Sequence, residues 1–421
     1  MVSLDARVHG ISQLRDIWLA KASQTSRKDG KLQLDAFKWL NKATLDIIGL
    51  TGFNYSFNAL RLPDGQIDEL YEAIVTAGSA ESSSPLFRSL QLIFPPARLI
   101  IVTSYEQPTT YTRNAKRSLD VVHRIGNRLV SEKKAAVLNE AGGKRTIAKD
   151  DIEGHDLLSL LIKANMAADM PDSMRLTDAE VRDQVPTFLA AGHETTSTAV
   201  SWTLFALSTH KSVQAKLREE LLSVTTDTPS MDELGSLRYL GYVVQEALRL
   251  YAPVPVSQRE ATQPEVVPVA TPFVDANGET QYSIRLNAGD VINIPIHALN
   301  GSIVINIPIR ALNRSIDIWG EDAREFRPER WEHLPEAVQT MPGVFSHILT
   351  FLGGTRACIG FRFSIVEAQA LLFTLIRAFE IELAVSPDEI IRRTMLVGRP
   401  WVDGALTGPQ LPLLIRPVQK A

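Results

Sequence analysis

One cysteine stands alone among 421 residues, in the run Phe351-Leu352-Gly353-Gly354-Thr355-Arg356-Ala357-Cys358-Ile359-Gly360. A single thiol forms no disulfide within the chain, and a lone cysteine more often packs as a small hydrophobe than reacts. The neighbours of Cys358 argue for an anion instead. Two glycines let the backbone turn closely around the sulfur, and Arg356 stands two residues before it; amides and positive charge both favour a thiolate. From Gly360 onward Ile365, Ala368, Leu372, Leu375, Ile376 and Phe379 recur at helical spacing. Cys358 is therefore expected on a loop just ahead of a buried helix, whose amino-terminal dipole favours the same charge state.

A second group lies in Ala190-Ala191-Gly192-His193-Glu194-Thr195-Thr196-Ser197, at the centre of one long helix read from Val181 to Leu207 with Pro186 as a kink. Small residues followed by an acid and two hydroxyls weaken an apolar helix. Ser and Thr bond back to carbonyls four residues earlier, and a glycine beside them opens a groove. Close helix packing alone explains Ala191 and Gly192 but not the Glu-Thr pair, which suits general acid work. A third group is Glu246-Ala247-Leu248-Arg249, an acid and a base three apart on one helix face.

The loop has the form Phe-x-x-Gly-x-Arg-x-Cys-x-Gly and resembles the haem-ligand loop of the cytochrome P450 monooxygenases. In that family the thiolate is the axial iron ligand, and its electron donation favours O–O cleavage. The resemblance implies haem b (iron protoporphyrin IX) on Cys358, with Gly354 and Gly360 shaping the loop, Phe351 packed beneath the ring, and Arg356 and Arg259 reaching propionates. It implies that Gly192 makes room for O2 while Thr195 and Glu194 deliver protons, with His193 structural. It makes Glu246, Arg249 and Arg330, the last in Phe326-Arg327-Pro328-Glu329-Arg330-Trp331, a buried ion triad behind the haem loop. Val254 to Ser257 are then expected to face the substrate.

These groups need a scaffold, and the composition allows a large one. At 45% hydrophobic the chain can bury an extensive core, no low-complexity linker divides it, and residues 1–421 read as one domain. The net charge is −4 with no basic arm or stripe, so nucleic acid is not expected as a partner. No run of 18 or more apolar residues occurs, and the first residues lack a signal-peptide pattern. The most apolar window, Leu90 to Val102, is broken by Pro95 and Pro96 and reads as two short helical pieces.

Ahead of the acid-hydroxyl helix the pattern is helical. Ile11 to Trp18, Leu34 to Ile48, Ile67 to Ala77, Thr112 to Leu138 and Leu157 to Ile162 each carry helix-spaced apolar residues, and the basic residues of the fourth read as a solvated face. The run Thr44 to Tyr55 resembles fungal members of the family. Such members carry a further stretch before it, including a membrane anchor and the first strands of the sheet. Nothing here matches that stretch, so a fold incomplete at the amino terminus is expected. The family resides at the endoplasmic reticulum; without an anchor, a cytoplasmic or peripheral location is the expectation.

Behind the Glu246 helix, Val266 to Val274, Gln281 to Arg285 and Asp290 to Ile296 read as strands, with Asn277-Gly278 a hairpin turn. The chain then repeats itself. Residues 291–300, Val-Ile-Asn-Ile-Pro-Ile-His-Ala-Leu-Asn, return as 304–313 with only His297 replaced, by Arg310. Either copy can occupy one strand position, and the second is expected to lead into Asn313-Arg314 with the extra residues bulging outward. Late strands are read at Ile381 to Leu383 and Leu411 to Ile415, Arg399-Pro400-Trp401 reads as a packed turn with a lining of the substrate pocket as the alternative, and Arg362 and Arg377 each read as ordinary surface charge with an acidic redox partner as the alternative.

The fold class expected is thus mostly α with a minor β region, a haem-thiolate fold. The chemistry the resemblance implies is insertion of one oxygen atom from O2 into a small hydrophobic substrate, with electrons from NADPH through a P450 reductase. Two other readings stay open. One is a haem-thiolate isomerase or dehydratase needing no external electrons, against which Glu194-Thr195 speaks; the other is an inert truncated chain, motivated by the missing front and the repeat.

Overall fold

The computed structural model describes residues 4–25, 27, 29–63, 66–80, 110–140, 156–167, 171–259, 263–275, 277–286, 305–394 and 396–418. Its elements are mostly helical. Helices α1 (Leu4–Ser23), α2 (Ala36–Ile48), α3 (Glu69–Ala80), α4 (Thr110–Glu140), α5 (Leu157–Asn165), α6 (Asp178–Thr209), α7 (Lys211–Leu222), α8 (Arg238–Leu250) and α9 (Phe361–Ala378) form the bulk. Strands β1 (Leu32–Asp35), β2 (Ser257–Arg259), β3 (Glu265–Val274), β4 (Thr280–Leu286), β5 (Ile305–Ile307), β6 (Phe379–Leu383), β7 (Ile390–Thr394), β8 (Gly398–Val402) and β9 (Pro412–Pro417) pair antiparallel.

α6 is the axis of the molecule. It starts where the Thr177 hydroxyl accepts the Glu180 amide and the Glu180 carboxylate accepts the Thr177 amide, a reciprocal cap that satisfies two otherwise orphaned donors. It runs through Pro186 without ending, and its second half is buried nearly all round, from Thr196 to Leu204. α2 packs along it, and α9, α8 and α7 flank the other side. The interior divides into two main apolar clusters. One gathers α1, α2, the second half of α6, α8 and α9 around Trp18, Leu40, Val200 and Leu372. The other gathers the end of α2 with α3, α4, α5 and the first half of α6. Each fully buried Leu or Ile here contributes about 2 kcal/mol, which is why these helices hold although many of their residues are weak helix formers.

Several expectations change. Leu34, read as the start of a helix, lies in β1, whose Leu32 faces Ile415 and whose Asp35 faces Pro412 across a three-stranded sheet ordered β1-β9-β6. No local pattern could announce a strand whose partner lies at the other end of the chain. Beyond Ile48, where the helical pattern was read to stop, the chain continues into a π-helical turn, Gly49–Phe53, which Asn54 ends in the left-handed region. The basic residues of α4 are not merely solvated. Arg124 pairs with Glu69, Lys133 with Asp156 and Lys134 with Asp178, tying α4 to three neighbours. Arg377 is likewise committed, donating to Leu221 O, Val224 O and Asp227, so it serves packing rather than a partner.

The second copy of the repeat forms β5, pairing Ile307 with Ser257 and Ile305 with Arg259. It then passes through a helical turn, Ile309–Leu312, to buried Asn313. The first copy, Val291 to Asn300, and the apolar window Leu90 to Val102 lie outside the described residues. Among the described residues no helix is long and apolar enough to cross a membrane.

Candidate active site

Where the two main clusters meet, a cavity of about 380 Å³ separates α6 from the cysteine loop. Ala191, Gly192, Thr195, Thr196 and Ala199 form one wall. Phe351, Arg356, Cys358 and Gly360, with Phe363 and Ser364 of α9, form the opposite one. The walls are joined at one side, where Thr196 Oγ1 lies 3.4 Å from Ser364 Oγ.

The loop is shaped by backbone contacts that only particular residues allow. The Cys358 amide donates to Phe351 O at 2.8 Å, closing it. A Cβ at Gly353 would lie 1.8 Å from Pro342 O, so no other residue fits there without moving the backbone. Gly354 takes φ +66°. Phe351 is buried against Phe345 and Phe361, with ring centroids 5.9 and 6.2 Å apart. Asn313 fastens the approach to the loop: its Oδ1 accepts the Leu349 amide at 2.9 Å and its Nδ2 donates to Thr350 Oγ1.

The sulfur of Cys358 is open to the cavity. Burial pushes its thiol above the usual cysteine range, and the Gly360 amide pulls it only part of the way back. Arg356 lines the same cavity and is exposed; a bound metal would add the charge that favours the anion.

Beneath the loop, Glu246, Arg249 and Arg330 meet in full burial. Glu246 Oε1 accepts from Arg249 Nη2 and Arg330 Nε, both at 2.8 Å, and Oε2 accepts from Arg249 Nε and Trp331 Nε1. Arg249 Nη1 also donates to Asn313 O at 2.8 Å, and Arg330 Nη1 to Asp322. Each side-chain nitrogen and oxygen of the buried triad thus has at least one hydrogen-bond partner.

On α6 the expected residues point in different directions. Thr195 lines the cavity while its hydroxyl donates to Ala191 O at 2.7 Å. Gly192 lines the cavity too, but a Cβ there would lie 2.9 Å from Ile48 Cδ1, so part of its space receives α2. Glu194 is turned away and pairs with Arg399 of β8. His193 is buried, with Nδ1 2.7 Å from Leu189 O and its ring edge-on to Tyr71, and burial holds it neutral, below the usual histidine range. Val254 and Ser257 line the cavity with Ile309. Arg259 lies on β2; its side chain is outside the described residues.

Sequence reading did not place Ile48, Phe188 or Phe363 at the site, and it singled out Arg399 without its partner. Arg399 is in a strand rather than a packed turn, and its partner stands 205 positions earlier, a distance over which no spacing rule works. Phe188 and Phe363 each sit one helical step from residues that were singled out, and a helical-wheel reading could have found them.

The residues fit a porphyrin iron. The cavity presents one sulfur, and no group of three or more metal-ligating side chains occurs among the described residues. A metal opposite Cys358 therefore has to bring its remaining donors with it, as a macrocycle does, and the largely apolar walls suit its faces.

A family model for cytochrome P450 matches residues 6–271 and 294–401. The interval left out, 272–293, holds β4 and the beginning of the first repeat copy. Among curated proteins, Cytochrome P450 monooxygenase 205 of Postia placenta is 46% identical over 417 residues, covering 97% of this chain and 73% of that protein. Cytochrome P450 monooxygenase 128 of the same fungus is 46% identical over 409 residues, 96% of this chain and 70% of that protein. Ganoderic acid synthetase CYP5150L8 of Ganoderma lucidum is 31% identical over 431 residues, 97% and 75%. Likeness of that extent, on a fold that sets a cysteine loop against an acid-hydroxyl helix, makes this chain a member of the cytochrome P450 family.

Proposed function

We propose that the chain is a haem-thiolate monooxygenase that uses haem b, receives electrons from NADPH through a P450 reductase, and acts on a small apolar molecule. The observation that carries this reading is Cys358 facing Gly192 and Thr195 across an apolar cavity. When bound there, the haem supplies O2 activation and the oxidising power. The chain supplies the rest. Cys358 would be the iron ligand, Phe351 would pack against the ring, Gly354 and Gly360 shape the loop, and Arg356 and Arg259 would hold propionates. Glu246, Arg249 and Arg330 fix the scaffold behind the loop.

On the far wall, Gly192 leaves space beside the helix. Thr195 and Glu194 handle protons, a hydroxyl and a carboxylate one residue apart on α6. Ile48, Phe188, Val254 and Ile309 exclude water and select apolar substrates. An isomerase or dehydratase has no need of the acid beside the hydroxyl, so the Glu194-Thr195 pair favours oxygenation.

The test is a carbonyl difference spectrum of the reduced protein reconstituted with haem. A thiolate-type band in the wild-type chain that disappears in Cys358→Ala is the expected result. Unchanged absorption in Cys358→Ala overturns the ligand assignment, and absence of haem uptake by the wild-type chain favours the inert fragment.

A further inference from the structure

The guanidinium of Arg392 stands where a positive charge is costly. It packs from β7 onto Gly398 of β8, so closely that a Cβ at residue 398 would lie 2.0 Å from its Nε, and it sits 5.9 Å from the centre of the Trp202 ring. Its Nη2 donates to Ala252 O and, at 3.3 Å, to Pro253 O. Nε and Nη1 are buried and have no hydrogen-bond partner among the described residues. Buried donors left unpaired are costly, most of all on a charged group.

Further positive groups gather around it. Burial, then the charges of Arg310 and Arg314, push the Arg392 guanidinium down, and burial followed by Arg310 pushes Arg314 down as well. Tyr251, which ends α8 and stacks on Trp202 with ring centroids 5.2 Å apart, stands among them: burial raises its ionisation, while Arg314 and Arg310 lower it. The group is thus assembled from the end of α8, the turn Ile309–Leu312 with the residues after it, and β7. No ion pair involves Arg310, Arg314 or Arg392 among the described residues. Glu246, the acid that acts on Tyr251, is already shared by Arg249, Arg330 and Trp331. Arg310 is exposed and Arg314 half-buried, so both open toward solvent. Both charges are also peculiar to the repeat copy that forms β5, since the first copy has His297 and Gly301 at the matching positions.

We propose that Arg310 and Arg314, backed by the charge of Arg392, form a binding site for a small oxyanion of the phosphate class, apart from the active cavity. Guanidinia bind such anions through paired N–H···O bonds, and one anion offsets the mutual repulsion of all three side chains. Arg310 and Arg314 supply the donors that touch it; Arg392 supplies fixed charge. The bound anion ties β7 to the turn that carries Ile309, a residue of the cavity wall. The site stands whether or not the haem-thiolate reading does.

The experiment titrates inorganic phosphate into the haem-loaded full chain, with potassium chloride holding the ionic strength constant, and follows the melting temperature. An anion that binds only the folded chain raises that temperature along a saturating curve, and the wild type follows one. The double variant Arg310→Gln/Arg314→Gln needs at least about tenfold more phosphate for the same rise, the weight of one charge-assisted hydrogen bond. Without phosphate it melts no lower than the wild type, because repulsion has been removed. Arg310→Lys/Arg314→Lys, which keeps the charges and loses the paired donors, lies between, and it serves as the working variant if the glutamine pair folds poorly. A rise that never saturates, or one equal in the wild type and the glutamine variant, is the general effect of an excluded salt and overturns the proposal. A glutamine variant that melts lower than the wild type without phosphate also overturns it, since the arginines then hold the fold through contacts of their own. None of these outcomes bears on the carbonyl spectrum that tests the haem-thiolate reading.

Discussion

Ile48 of α2 fills the notch that Gly192 leaves in α6: a Cβ at residue 192 would stand 2.9 Å from both Cγ1 and Cδ1 of Ile48. One turn away Thr44 Oγ1 donates to His193 O at 3.0 Å, so the two helices touch backbone to side chain. The glycine is therefore required for packing as well as for any space it leaves on the cavity face.

Gly192→Ala follows directly. Overpacking costs about 1–3 kcal/mol, and the better helix former returns about 1 kcal/mol, so a net loss of about 1 kcal/mol is expected in chemical denaturation. Ile48→Val in the same chain should recover part of that loss. Stability of Gly192→Ala equal to the wild type would show that α2 yields freely at this point.

Glu246→Gln leaves two buried guanidinia short of a counter-charge. Breaking a buried ion group by removing one member costs about 3–5 kcal/mol. Because Arg249 also donates to Asn313 O, and Asn313 holds the loop approach at Leu349, haem retention should fall along with the unfolding midpoint. Both are read from one urea titration followed by haem absorbance and far-ultraviolet circular dichroism.

His193 sets part of the acid response. Burial depresses its folded-state ionisation below the value of about 6.5 found in an unfolded chain. Between those two values the unfolded state binds more protons, so stability rises with pH there and is lost as pH falls below about 6.5. The slope attributable to one such group is at most about 1.4 kcal/mol per pH unit. Unfolding free energies measured from pH 5 to pH 8 should show a shallower slope in His193→Gln, whatever its absolute stability; an unchanged slope would assign the acid response elsewhere.

Arg310 is the one residue by which the second repeat copy departs from the first, which carries His297 there. It stands near Arg314 and Arg392. Burial, then the charges of Arg310 and Arg314, push the Arg392 guanidinium down to about 10. Replacing Arg310 by the first copy's residue, Arg310→His, removes one of the repelling charges at neutral pH. Because Arg310 is exposed, the expected gain is under about 1 kcal/mol, read as a small rise in the melting temperature that shrinks at high salt. A fall instead would mean that Arg310 contributes a favourable contact.

The reading of the sequence reached furthest where chemistry depends on neighbours in the chain. The form of the cysteine loop, the helical period after Gly360, and the Glu-x-x-Arg spacing are local, each carried by one continuous stretch of the chain. They sufficed for the fold class, the family resemblance and the identity of the sulfur. Tertiary structure decided whatever depends on contacts between distant segments. It put β1 against β9, gave Glu194 to Arg399, and filled the Gly192 notch with Ile48. Those pairings are set by which faces remain to be buried once the helices have packed, and no spacing along the chain encodes that.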